Sequence, residues 1–402
     1  MTLSNDFVIW RNGHEWQYAL SMASTWIWAP ALFVSSSMAH NNGLLGLCMF
    51  IIPNALTLIL FGWLSGLYAP ASALKRCNVT DALADAWEPQ RCVHRVMSLM
   101  LLLASTAVQL VGLHTLFDSL TDFAFPKIAT ILITFLACGS IVWLEGIKAC
   151  IKTDVAKYAV LLLCGVCLAV YAVLKGEFTG FGGINNPDFL PLAATFGITT
   201  AIGLFSAPYV DNTFWQRAFC ISKERRLPVF TKAAVSFSAI PLIFGLIGFY
   251  SAGDTSWTLG DSFSSGIPAV LVIIAVVAAL VSTVDSNLCA ASALYHEEKD
   301  NMPHIIMCGM FTIAALLFAF TDWSVVQWFL FYGTARTCMF VPTVLIMLNK
   351  YDKYRLFVAT ILAIFISTIG YALTKEFAYT LIALILPLAG MKWWEDKKHV
   401  TA

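Results

Sequence analysis

Apolar runs of about 20 residues, the length a helix needs to cross the hydrocarbon core of a bilayer, recur from end to end of the chain between short polar or charged connections. With charges and turn residues as boundaries, they predict spans near 17–38, 43–67, 96–117, 126–144, 155–174 and 190–208. They continue near 230–252, 267–293, 304–320, 324–348, 356–374 and 377–391. About twelve such helices use up nearly the whole length, so residues 1–402 read as a single all-α integral membrane domain with no soluble domain attached.

Three spans carry concentrated polar residues, which cost free energy in a membrane unless paired or facing a cavity and so mark the first places to look for function. The first span reads "YALSMASTWIWAPALFVSSSMAHNNG", with Ser21, Ser24 and Thr25 ahead of Pro30 and three serines after it. The proline removes a backbone hydrogen bond and frees a carbonyl one turn earlier. The sixth, "FGITTAIGLFSAPYVDN", sets Gly203 and Pro208 among Thr199, Thr200 and Ser206. Two interrupted spans, each opening a set of five, are the pattern of transporters built from inverted repeats; the plainer alternative is a pair of proline kinks with packing serines.

The third polar span is "AVVAALVSTVDSNLCAASAL". Ala279, Ser282, Ser286, Ala290 and Ala293 fall at helical steps and form one small-residue stripe with Thr283 beside it. Close helix packing would explain the stripe alone. The consecutive hydroxyls of Ser282 and Thr283, with carbonyls from a broken first helix, would make a site of neutral oxygens suited to a monovalent cation that must also leave.

Composition and charge sharpen this. The chain is 59% hydrophobic and 12% charged, against about 25% charged for soluble domains. A net charge of zero implies neither nucleic acid nor a strongly anionic partner. With the N-terminus placed inside, 20 of the 24 Lys and Arg residues fall on the inner side, Lys157 and Arg217 among them, and only Lys127, Lys175 and Lys375 outside, with Arg336 within a span. This bias fits an even number of spans with both termini cytoplasmic in a plasma (inner) membrane. The segment 176–188 becomes an outside loop with flexible glycines, and the sequon at Asn78 falls inside. The eleven cysteines, including Cys164 and Cys167, read as reduced small apolar residues. Asp6, Arg11 and Glu15 interrupt the beginning of the chain where a secretory leader would be apolar, so none is expected.

Here the residues become recognisable. "VSTVDSNLCAASAL" resembles the eighth core helix of the sodium:solute symporter family. "YVDNTFWQRAFCISKERR" is similar to that family's stretch after the sixth core helix, and "EGIKACIKTDVAKYAVLLL" to its entry into the fifth. The similarity runs from about residue 16 to 348 and implies a LeuT-like fold, with inverted five-helix repeats over 16–174 and 190–348 followed by accessory helices over 355–392. It also implies Na+ as coupling ion, held by the hydroxyls of Ser282 and Thr283 and by the carbonyls of Ala279, Ser24 and Ile27. Asp154 matches an aspartate tied to a further sodium site or to the ion's release path, or is a helix cap.

Family solutes bind between the interrupted helices and the third, eighth and tenth spans, which nominates Trp26, Trp28, Gln109, His114, Ser206, Tyr209 and Gln327. The Trp-x-Trp-Ala at residues 26–29 is similar to the urea/polyamine branch, whose eighth-helix signature is missing here. Asp285, one turn beyond Ser282, must be protonated, paired or close to a second cation, and Arg336 is its nominated partner. Asp211 reads as a structural residue at the inner end of the sixth span.

The expectation is therefore a sodium-coupled symporter of a small neutral or zwitterionic solute, embedded in the lipid bilayer, with no nucleic-acid partner and no catalytic role. The alternatives are proton coupling or a transporter-derived channel or sensor. Nucleotide loops, paired metal motifs and nucleophile-base pairs that would suggest an enzyme do not stand out. Oligomeric state is not encoded in any of these features.

Overall fold

The computed structural model describes residues 10–67, 78–83, 86–120, 126–185, 188–251, 259–260, 263, 265–294, 302–323, 325–376 and 378–392. Among the described residues the only β pairing is an isolated bridge between Tyr351 and Met391. Lys75, Arg76, Lys299, Lys397 and Lys398, counted above as inner-side cations, lie outside these residues.

The first half comprises α1 (Glu15–Trp26), α2 (Ala29–Leu67), the short α3 (Val79–Ala82), α4 (Glu88–Leu120), α5 (Lys127–Glu145) and α6 (Ile147–Lys175). The sixth span follows in pieces: α7 (Phe189–Leu192), a π turn (Ala193–Gly197), α8 (Ile198–Ser206), a 3-10 turn (Ala207–Tyr209) and α9 (Asn212–Cys220). Then come α10 (Arg226–Phe249), α11 (Gly266–Ala293), α12 (Met302–Phe320), α13 (Val325–Met347), α14 (Lys353–Thr374) and α15 (Ala378–Ile385). Seven of the described helices are long and apolar enough to cross a membrane, and Lys127–Cys138, Ile305–Phe320 and Ala378–Gly390 are shorter apolar ones.

Every predicted span coincides with helix, and the differences lie at ends rich in charge. The fifth begins at Ile147 and not near 155, the third at Glu88, and the sixth runs on through α9 to Cys220. Hydropathy trims such ends because Lys, Arg and Asp lower the average even where they are buried.

α2 is two spans in one ladder. It reverses at Gly43, whose φ of 64° is left-handed, a conformation that glycine adopts without steric cost. The 176–185 segment docks on that reversal: the Leu44 amide donates to the Phe181 carbonyl at 2.7 Å, and the amides of Ile184 and Asn185 donate to the carbonyls of His40 and Asn41 at 3.0 and 2.9 Å. A Cβ on Gly43 would lie 2.1 Å from the Phe181 oxygen. Two of the glycines read as flexible serve close backbone approach: a Cβ would lie 2.0 Å from the Tyr250 oxygen at Gly176 and 2.4 Å from the Gly43 nitrogen at Gly183.

α10 lies along α2, α11 along α6, and α1 wedges between α10 and α6. The surface carries Leu136, Leu174, Ile267, Phe320 and Leu373 largely exposed, as lipid-facing side chains would be, while hydroxyls, amides and charged side chains are buried inside. The end of α11 is tied down by amides: Asn78 donates to the Ala293 carbonyl at 3.1 Å and Asn212 to that of Ala290 at 2.7 Å.

Candidate functional site

The first span breaks between Trp26 and Ala29, with Ile27 at φ −82° and ψ 74°. Pro30 stands second in the new helix, where its missing N–H costs nothing. A continuous ladder would have paired the Ala29 amide with the Thr25 carbonyl. That amide instead donates to Gln109 Oε1 of α4 at 2.9 Å. The released Thr25 carbonyl accepts the Thr283 hydroxyl of α11 at 3.1 Å, and the same hydroxyl lies 3.1 Å from the Ala279 carbonyl. The first-helix carbonyl in contact is that of Thr25, one residue beyond Ser24; the Ser24 hydroxyl is buried with no hydrogen-bond partner. Because the Ser282 and Thr283 hydroxyl protons point at protein acceptors, their lone pairs remain for a cation.

Beside this seam lies a closed network of four charges. Asp154, in the second turn of α6 and not at its cap, is fully buried. Its Oδ1 accepts from Ser282 Oγ at 2.7 Å and Lys157 Nζ at 3.2 Å; its Oδ2 accepts from Ser21 Oγ at 2.6 Å and Arg217 Nη2 at 3.2 Å. Lys157 also bonds Asp285. Arg217 spreads its guanidinium to Ser21 (3.0 Å), Thr25 (2.8 Å) and Ser286 (2.6 Å). Two carboxylates and two cations sum to zero, and between them they join α1, α6, α9 and α11. Buried charges persist when paired and hydrogen-bonded in this way.

This corrects two expectations. Asp285 pairs with Lys157, three residues beyond Asp154 on the same face of α6, and not with Arg336. Lys157 and Arg217 are interior residues, with Arg217 wholly buried and the Lys157 side chain 11% exposed, and not loop cations.

The sixth span opens at Val210 and Asp211, two residues past Pro208. Asp211 starts α9 as its N-cap, taking the Thr213 amide at 2.9 Å and hydroxyl at 2.7 Å on Oδ1. It is no inner-end residue. The two breaks face each other across a cavity of about 20 Å³ lined by Thr25, Trp26, Trp28, Ser105, Asp211, Thr213, Thr283, Asn287, Tyr332 and Arg336. Trp28 packs on Tyr332 and Phe329 of α13, and Trp26 edges onto Phe214 of α9.

Of the solute residues nominated from sequence, Trp26 and Trp28 line the cavity and Gln109 holds the adjoining amide. The others do not line it. Ser206 bonds back to the Ile202 carbonyl at 2.7 Å, Tyr209 meets the Phe340 ring edge-to-face, His114 sits 3.3 Å from Asp118, and Gln327 is exposed at the start of α13. Asp211, Tyr332, Asn287 and Ser105 were missed; the break after Pro208 was the available signal for Asp211.

No family model and no curated protein matches the sequence. Solved structures do match the fold. A Na+-coupled sialic acid symporter in a substrate-bound outward-open state aligns over 97% of this chain and 92% of its own, at a TM-score of 0.71 and 16% identity. The chain has the LeuT-like transporter fold. MhsT in complex with L-phenylalanine covers 94% of this chain and 98% of its own at a TM-score of 0.64 and 14% identity. A nucleobase-cation-symport-1 family transporter in a closed conformation covers 97% and 95% at 0.56 and 13%. None of these favours the urea/polyamine branch.

Proposed function

We propose that the chain is a sodium-coupled secondary active symporter that imports a small polar organic solute through the cavity between its two broken helices. Residues 16–174 and 190–348 are its inverted repeats, and 355–392 its accessory helices. It lies in the plasma membrane with both termini cytoplasmic, as the Lys and Arg bias favours.

One observation carries the reading. The Thr283 hydroxyl lies within 3.1 Å of both the Thr25 and Ala279 carbonyls, with Ser282 alongside, so oxygens from α1 and α11 converge where the first span is broken. Sodium at Ser282, Thr283, Ala279 and the carbonyls near Ser24 to Ile27 would brace α1 against α11 and favour the outward-facing, solute-ready form. Its departure inside would release both. One sodium moving down about 100 mV supplies about 2.3 kcal/mol, and a tenfold gradient adds about 1.4, enough for about 500-fold accumulation.

The linked Asp154, Lys157 and Asp285 favour a second reading, in which a proton replaces sodium. Uptake into proteoliposomes under an imposed sodium or proton gradient separates the two. Under the sodium reading, Ser282→Ala with Thr283→Ala abolishes sodium stimulation. Unchanged sodium dependence in that variant would move the ion elsewhere, and uptake driven by a proton gradient alone would favour the second reading.

A further inference from the structure

Resting on the reading of the central cavity as the solute site, we infer that it recognises an organic zwitterion of about amino-acid size, whose carboxylate docks on Arg336 and whose cationic group faces Asp211. Arg336, on α13, is buried to 3% exposure in the cavity wall. Its guanidinium carbon lies 3.5 Å from the centroid of the Tyr332 ring and 5.6 Å from that of Trp26, so two aromatic faces fix the group. Its Nε has no hydrogen-bond partner, and neither has Nε1 of Trp26, which lines the same cavity.

A buried donor without an acceptor is costly, and both of these are donors. The missing ligand must therefore bring lone pairs in excess, as a carboxylate does. Guanidinium is the side chain best shaped to meet one.

Asp211 supplies the opposite pole. Its Oδ1 is taken by Thr213, whereas Oδ2 is met among the described residues only by the Tyr332 hydroxyl, at a long 3.4 Å. That oxygen retains capacity for a cationic donor, and the rings of Trp26, Trp28 and Tyr332 suit a positive group as well. Arg336 and Asp211 already cancel, so a zwitterion enters without leaving net charge buried, whereas a dicarboxylate or a bare cation would add an uncompensated one. An uncharged polyol or sugar can accept from both orphan donors through its hydroxyl oxygens, but it brings no anion to pair with the Arg336 guanidinium and no cation to pair with the open Asp211 oxygen. At about 20 Å³ the cavity is smaller than such a solute, so the helices part to admit it.

The test uses the full chain, purified in detergent with sodium present. Thermal shift and calorimetry screen the standard amino acids and glycine betaine against urea, glucose and propionate. The expected result is binding of at least one zwitterion, with its carboxamide and its des-amino analogue each weakened by about tenfold or more. Arg336→Gln loses a similar factor, about tenfold or more, and Arg336→Lys keeps part of the affinity. Asp211→Asn narrows the gap between the zwitterion and its des-amino analogue. Binding of urea or glucose with no zwitterion bound overturns the inference, as does an unchanged Kd in a folded Arg336→Gln protein. Sodium-driven uptake of an uncharged solute would sink this inference alone and leave symport standing. A zwitterion that binds through Arg336 but is not driven by sodium would uphold it and sink the symport reading.

Discussion

Two groups of buried opposite charges, the four around Asp154 and the pair of Arg336 and Asp211, lie in this protein and are built to different ends. Around Asp154, each carboxylate oxygen has two donors; of the cations that supply them, Arg217 also reaches hydroxyls of α1 and α11, and Lys157 also bonds Asp285. Around Arg336 and Asp211 the bonding is incomplete: Nε is orphaned and Oδ2 is barely met. Burial is nearly equal, so burial does not separate them. Satisfaction does. A completed network locks helices together, while an incomplete one waits for a molecule to finish it.

The largest effect should come from breaking the completed network. Asp154→Ala leaves Arg217 without a carboxylate and one net positive charge in the interior, with Lys157 still held by Asp285, and should cost about 3–5 kcal/mol, read as a large fall in thermal stability in detergent. Pairing Lys157→Met with Asp285→Leu removes one charge of each sign and should be milder than either change alone, because no net charge is left behind. A double variant worse than both singles would refute the description of the network as charge-balanced.

Gln109 stands between the two cases, with Oε1 bonded to the Ala29 amide and Nε2 without a partner. Gln109→Leu leaves a buried N–H at the break and should cost about 1–3 kcal/mol by thermal or denaturant unfolding. No loss would mean the amide finds another acceptor.

The smallest effect concerns the incomplete pair. Arg336→Met alone would leave Asp211 buried without its counter-charge, so the pair is removed together: Arg336→Met with Asp211→Asn should change the stability of the solute-free protein by only about 1 kcal/mol while abolishing zwitterion binding. A loss as large as that of Asp154→Ala would show that this pair is as complete as the network and would blur the contrast.

Much of this architecture was legible in residue patterns. Apolar run length located every span, and helical steps along α11 placed Ser282 and Thr283 on the face that meets the first break. Pro30 marked that break within four residues. The network was hidden because the inside-outside charge count takes Lys157 and Arg217 as inner-side cations, although Lys157 stands three residues after Asp154 and so shares its face. Pairing across helices was harder still. Nothing in the spacing tells Asp285 whether its cation comes from α6 or α13, since that choice is made by how the bundle closes. Asp211 was misplaced for a related reason: with the sixth span ended at residue 208, the aspartate seemed to follow the helix and not to interrupt it.

The reversal at Gly43 has a mechanical consequence. The strap of residues 181–185 is stitched to both sides of the corner between the first two membrane crossings, its Ile184 and Asn185 amides donating to His40 and Asn41 and its Phe181 carbonyl accepting from Leu44, and it follows the end of α6. Tilting of the half of the first crossing that leads into Gly43 would therefore carry the strap with it and pull on the end of α6. A spin label on the strap is expected to move in step with one on that half, even though Asp154 and its partners lie near the opposite end of α6.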